Sequence, residues 1–170
     1  MRWQVLYVRP KSEKKIGEFC KVLGITHYLP LRSETKIYQR RKVVVHKPVF
    51  PCYFFLKLND TFRLDILKTN LVIRILKPST DRQLLHELAQ VRKALRADPG
   101  LVACKALKRG HRVRITGGPF LGIEGIVSRM KSTNKVVLNV EIIGRAVSVE
   151  SDLEFLELAE DEPKSAPKKR

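Results

Sequence analysis

The sequence predicts an α+β chain, with an N-terminal α/β sandwich over residues 1–98 and a small five-stranded β-barrel over residues 107–158. Three observations predict it. Strand-like and helix-period segments alternate as far as Leu95. Asp98-Pro99-Gly100 then breaks the last helical pattern and opens a connector, residues 99–106. Beyond it only short strand-like runs remain, separated by turn residues, which is the pattern of a small barrel.

The elements follow in order. WQVLYVRP (3–10) is short and rich in β-branched and aromatic residues, as a buried strand is, and Pro10 ends it. Ser12 is placed to cap a helix with Glu13 in its first turn; Ile16, Phe19, Val22 and Leu23 recur at helical spacing, and Gly24 stops them. HYLPL (27–31) is extended around its proline. Residues 32–47 are polar and basic and read as two hairpin arms, followed by PVFPCYFFLKL (48–58), the most apolar stretch of the chain. TFRLDILKTN (61–70) predicts a short helix and LVIRIL (71–76) a strand. In TDRQLLHELAQVRKAL (80–95), Leu84, Leu85, Leu88, Val91, Ala94 and Leu95 form one stripe behind a Thr80 or Asp81 cap.

After the connector come HRVRIT (111–116), GIVSRMK (125–131), KVVLNVEII (135–143), RAVSVE (145–150) and LEFLEL (153–158), with turns expected at Thr133-Asn134 and Ile143-Gly144. The last residues, 159–170, are polar and proline-containing and are expected to be disordered.

Charge supplies the first functional signal. The 170 residues hold 34 Lys and Arg against 17 Asp and Glu, a net charge of +17. Residues 1–106 carry 22 basic and 8 acidic side chains, whereas residues 107–170 carry 12 and 9. Such an excess favours an anionic partner, nucleic acid above all, and assigns that contact to the N-terminal two-thirds. The plainer alternative is a solvated surface. No apolar run is long enough for a membrane span, and MRWQVLYVRP reads as a strand rather than a secretory leader. Cys20, Cys52 and Cys104 are odd in number, far apart and outside any CxxC spacing, which predicts reduced cytosolic thiols and no metal site.

RITGGPFLGIEGIV (114–127) invites comparison with a phosphate-binding loop. Gly117 and Gly122 have the P-loop spacing, but Ile123 and Glu124 stand where lysine and a hydroxyl are needed, and no GxG occurs for a dinucleotide loop. The following segment is strand-like, so no helix N-terminus faces an anion. The glycines make better sense as turn residues, with Phe120 and Leu121 projecting at the tip. His27, His46, His86 and His111 are scattered, and HEL at 86–88 lacks the second histidine of HExxH. No catalytic constellation and no cofactor site are therefore expected.

Within PCYFFLKL, period-two alternation places Cys52, Phe54, Leu56 and Leu58 on one face and Pro51, Tyr53, Phe55 and Lys57 on the other. Two readings stay open: a central strand covered on both sides, or one face left as an apolar patch for a partner. The hairpin arms offer Lys36, Arg40, Arg41, Lys42 and Lys47 for phosphate contacts, with Tyr38 and His46 nearby.

GHRVRITGGPFLGIEGIV (110–127) closely resembles the KOW motif. Together with WQVLYVRPKSEKK (3–15), YLPL (28–31), PVFPCYFFLKL (48–58) and LVIRILK (71–77), it occurs in the order seen in the NusG family, a resemblance that covers residues 3–158. It implies an NGN-like N-terminal domain (1–98), a flexible linker and an SH3-like KOW barrel (107–158). Gly117, Gly118, Gly122 and Gly125 disfavour a stable helix in its loop and strand-like alternation dominates elsewhere, so a constitutive barrel is expected.

The resemblance also implies a function without catalysis. Tyr7, Tyr53 and Phe55 map to an aromatic depression that grips the clamp helices of the largest RNA polymerase subunit, and Phe54 maps to the core. Cys52 stands where glycine is common. The basic segment would touch upstream or non-template DNA or nascent RNA. Phe120 and Leu121 would dock a regulatory partner, a ribosomal protein or the termination factor Rho. A cytoplasmic, monomeric elongation factor that suppresses pausing follows, and the net charge points to an operon-specific processive antiterminator. The alternatives are a general housekeeping factor coupling transcription to translation or Rho, and a ribosome-associated KOW protein that binds RNA.

Overall fold

The computed structural model describes residues 1–127 and 133–159. Its N-terminal half is a four-stranded antiparallel sheet of order β2-β5-β1-β6, made of β1 (Arg2–Val8), β2 (His27–Tyr28), β5 (Tyr53–Leu58) and β6 (Val72–Leu76). Helices α1 (Glu13–Val22) and α2 (Asp60–Lys68) supply one covering layer: Ile16 and Cys20 of α1 and Ile66 of α2 pack with Leu6, Val8, Phe54, Leu56 and Leu58. Helix α3 (Asp81–Ala97) covers the opposite face, where Leu84, Leu88 and Val91 join Val5, Phe50 and Phe55.

Local chemistry starts the last two helices. Asn59 Oδ1 accepts the Phe62 N–H at 2.9 Å, and Thr80 Oγ1 accepts that of Gln83 at 3.2 Å. Asp81 also reaches back to accept the Trp3 N–H at 3.1 Å, tying α3 to the start of β1. The stripe predicted on α3 is narrower than expected, because Leu85 is exposed while Leu84, Leu88, Val91 and Ala94 are buried. On α1, Val22 likewise points to solvent at 84% exposure, and Cys20 takes the buried place instead.

Between β2 and β5 the chain leaves the sheet as a separate hairpin, β3 (Leu31–Tyr38) and β4 (Arg41–Pro48), paired in full register from Leu31↔Pro48 to Tyr38↔Arg41.

The C-terminal half departs from expectation. It is a six-stranded antiparallel sheet, order β12-β8-β9-β10-β11-β7, formed by β7 (Ala103–Lys105), β8 (His111–Ile115), β9 (Glu124–Val127), β10 (Thr133–Val140), β11 (Arg145–Asp152) and β12 (Leu156–Leu158). Among the described residues its edge strands β7 and β12 do not pair, so it is an open sheet rather than a closed five-stranded barrel. The sixth strand comes from the expected connector: residues 103–105 pair with β11 through Ala103↔Val147 and Lys105↔Arg145. Asn139 then fixes Leu107, its side chain bonding both the N–H (3.0 Å) and the carbonyl (2.7 Å). Thr133 and Asn134, read as a turn, instead pair within β10 opposite Asp152 and Ser151. Gly144 does turn the chain, at φ +61°. Residues 128–131 of GIVSRMK and residues 160–170 of the polar tail lie outside the described residues.

One buried cluster runs from Val5 and Phe55 through α3 into Val113, Ile115, Val136 and Leu138 of the C-terminal sheet, so the two halves share a core.

Candidate partner-binding surfaces

Three surfaces gather the residues singled out by the sequence. The first is on the α3 face of the N-terminal sheet, at the end that α3 leaves open. Register puts Tyr53, Tyr7 and Arg74 side by side across β5, β1 and β6. The Tyr7 and Tyr53 rings stand 5.3 Å apart, tilted by 48°. Tyr7 is 36% exposed and Tyr53 half-buried, so the pair forms an aromatic step with a cationic neighbour. Tyrosine is suited to such a place, since its ring gives apolar area and its hydroxyl stays wet.

Phe55 does not belong to the exposed surface. It is fully buried (0%), edge-on to Phe50 with ring centroids 6.3 Å apart. Strand β5 is central and α3 lies on this side, so the expected accessible aromatic is covered, two residues along the same face from Tyr53. Phe54 lies in the core on the other face, as its alternation required.

Glu13 is a residue that sequence reasoning placed without its function. It is only 4% exposed and accepts the Cys52 N–H at 2.7 Å. Cys52 sits at φ +67°, and its carbonyl accepts the Val8 N–H at 2.8 Å. The turn that delivers Tyr53 to Tyr7 is thus pinned by α1 on one side and β1 on the other. Burial, with the Glu13 charge adding to it, pushes the Cys52 thiol up; burial alone pushes that of Cys20 up to about 11. All three cysteines are free.

The second surface is the β3–β4 hairpin, and it divides the five predicted cations into two sets. Lys47 donates to both Glu34 oxygens at 2.9 Å, Arg32 to one at 2.8 Å, and Lys36 lies 3.9 Å away. The Lys47 hydrogen bond, together with these cations, holds the Glu34 carboxyl below its ordinary range. Lys36 and Lys47 are therefore partly neutralised. Arg40, Arg41 and Lys42, in contrast, are exposed at the tip, where Gln39 and Arg40 make the two-residue turn. Beside them Tyr38, Ile37, Val43 and Val44 are also exposed. His46 is held by Ser33 Oγ at 3.2 Å across the hairpin.

The third surface is the loop between β8 and β9. Ile115 N–H donates to the Ile123 carbonyl at 2.8 Å and Gly122 N–H to the Ile115 carbonyl at 2.7 Å, which closes the loop tightly. Gly122 adopts φ +76°, and a Cβ on Gly117 would overlap the Phe155 ring. Leu121 projects at 65% exposure, whereas Phe120 is half-buried against the shared core. Among the described residues, no three His, Cys, Asp or Glu side chains converge as metal ligands.

Comparison with known proteins adds the following. Residues 1–94 match the family model for NusG, described as transcription termination factor nusG. The chain is 24% identical, over an alignment of 179 positions, to the transcription termination/antitermination protein NusG of Borreliella burgdorferi, covering 91% of this chain and 97% of that protein. Against the protein of the same description from Rickettsia conorii it is 26% identical over 164 positions, covering 88% and 85%. A solved structure titled "Domain interaction in Thermotoga maritima NusG" covers 94% of this chain and 97% of its own, at 22% identity and a TM-score of 0.47.

Proposed function

The chain belongs to the NusG family of transcription termination and antitermination factors, and on that premise we propose that it binds RNA polymerase through the Tyr7–Tyr53 step. The occupant of the step is the pair of clamp helices of the largest subunit. Tyr7 and Tyr53 make the contact, Arg74 flanks it, and Phe55 anchors β5 to α3 beside it.

The observation that carries this reading is an aromatic pair left open on a sheet face that α3 otherwise covers. A surface that keeps two tyrosines in contact with each other and with solvent has the composition of an interface anchor. The hairpin tip, Arg40, Arg41 and Lys42, holds upstream or non-template nucleic acid through phosphates. Lys36 and Lys47 act behind it, arranged by Glu34. The closed complex suppresses pausing. The C-terminal half serves as a KOW-like module and offers Leu121, with Phe120 behind it, to Rho or a ribosomal protein. The net charge of +17 favours an operon-specific antiterminator over a general factor. The protein works as a cytoplasmic monomer.

The test is binding of the full chain to a stalled bacterial elongation complex at about 0.3 M salt, where nonspecific phosphate contacts weaken sharply. Wild type binds, and Tyr7→Ala/Tyr53→Ala loses at least tenfold in affinity. Equal affinity for the double variant would overturn the assignment of the step. Replacing Arg40, Arg41 and Lys42 together by alanine reduces the slope of log affinity against log salt by about 2 to 3, close to one per phosphate contact. An unchanged slope would remove nucleic acid from the hairpin.

A further inference from the structure

One side of α3 packs against the C-terminal half, and much of the contact at its edge is polar. Gln83 Nε2 donates to Glu87 Oε1 at 3.2 Å and to Glu141 Oε2 at 2.8 Å, so one amide bridges carboxylates from the two halves. The other Glu87 oxygen accepts the Glu141 backbone N–H at 3.2 Å. One turn further on, Gln90 Oε1 accepts the Glu124 N–H at 3.2 Å. Lys93 reaches the Gly122 carbonyl at 3.4 Å.

Glu87 and Glu141 also line one cavity of about 220 Å³ together with Lys77 and Thr80. The charged groups that line it with Glu87 are Glu141 from the C-terminal half and Lys77 from the segment before α3; His86, next to Glu87 on the helix, points elsewhere. His86 in turn lies 3.8 Å from Glu124 of β9.

An ionised Glu87 is poorly placed here. Docking removes water from it and sets it beside a second carboxylate, against which the Gln83 amide and one backbone N–H are its hydrogen bonds. Burial therefore pushes its carboxyl up to about 7, the Glu141 charge adding to the effect and the two hydrogen bonds opposing it.

We propose that the contact between α3 and the C-terminal sheet is a proton-sensitive latch, in which Glu87 holds the two halves together while protonated and loosens them once ionised. With the halves apart, Glu87 sits on the open face of a helix and returns to the ordinary carboxylate range. The docked form then binds the proton more tightly, so docking is strongest at acid pH, where both forms carry the proton. It weakens through the window between the ordinary carboxylate value and about 7, and is weakest and level above it. Within that window each pH unit lowers the docked-to-undocked ratio by up to about tenfold. Opening would free the outer faces of α3 and of the C-terminal sheet together. The latch stands on contacts between the halves and is independent of the polymerase reading.

The experiment follows tumbling of each half of the full, nitrogen-15-labelled chain by NMR relaxation from about pH 5.5 to 8.5, with the Glu141 and Glu124 amides as local reporters. At the acid end the halves tumble as one body. Toward the alkaline end they tumble separately, with the two amides shifting through the same transition. Glu87→Gln stays docked across the range, while His86→Gln keeps the wild-type transition. Unchanged amide dispersion within each half shows that the variants are folded. Docking that ignores pH, halves that tumble separately throughout, or a wild-type transition in Glu87→Gln would each overturn the latch.

Discussion

The two halves make their sharp turns with different chemistry. In the N-terminal half, Lys11, Gln39, Arg40, Cys52 and Asn70 take a left-handed backbone without being glycine. In the C-terminal half every described residue with positive φ is a glycine. A side chain in the left-handed region costs about 1–2 kcal/mol, so the first set persists only where other contacts hold it. The C-terminal turns are written into their own residues. In the N-terminal half the Cys52 turn depends on a distant residue, Glu13; Cys52 adjoins one proposed partner contact, and Arg40 is part of another.

The sharpest way to break this contrast is to remove a distant support. Glu13 lies 39 residues from the amide that it accepts. Glu13→Ala leaves the part-buried Cys52 N–H without its partner and costs about 1.5–3 kcal/mol, the range for a hydrogen bond to a charged group. Trp3 is the chain's one tryptophan and lies in the N-terminal half, so denaturant unfolding followed by its fluorescence isolates this loss. Glu13→Gln keeps an acceptor and loses less. If Glu13→Ala unfolds at the wild-type midpoint, the Cys52 turn is self-sufficient and the contrast fails.

The matching change in the other half is Gly122→Ala. Nothing stands within 4 Å of the added Cβ, so the backbone alone is tested. At φ +76° the expected loss is about 1–2 kcal/mol, read from amide exchange or unfolding of the C-terminal sheet. The reverse change, Cys52→Gly, stabilises the N-terminal half by about 0.5–1 kcal/mol, because relief of the left-handed cysteine exceeds the extra chain entropy of glycine. Opposite signs at Gly122 and Cys52 would confirm that the two halves solve one problem differently. A loss at both would mean that the cysteine side chain itself packs usefully.

The same contrast explains what could be read from the sequence. The glycine loop, the α3 stripe and the two hairpin arms were legible because period and turn residues are local properties. Burial of Phe55 was not, since alternation tells which face a side chain occupies but not what lies on that face. Strand β7 was missed because Ala-Cys-Lys is too short to show a period; its pairing is decided by β11, some 40 residues later. The division of the hairpin cations was hidden for a similar reason. Glu34 meets Lys47 only because the hairpin register brings together residues 13 apart. The Glu87–Glu141 contact, which joins the two halves, left no trace in any local pattern.

The smallest expected effect is at the hairpin tip, where strain and function act on one residue. Gln39 and Arg40 have φ of +45° and +64°, the signs that a two-residue hairpin turn requires and that Asn-Gly normally supplies. Arg40→Gly should therefore stabilise the hairpin, by no more than a few tenths of a kcal/mol, since a tip residue gains chain entropy on unfolding as well. The same change removes one exposed cation, so the salt slope for binding the elongation complex should fall by about 0.9. Arg40→Asn separates the two effects, because asparagine tolerates the left-handed region better than arginine but carries no charge. A firmer hairpin with weaker nucleic-acid binding in both variants would mean that the arginine is kept at a strained position for its charge. A firmer hairpin with an unchanged slope would leave the strain without a function, and would move the nucleic-acid contact to Arg41 and Lys42.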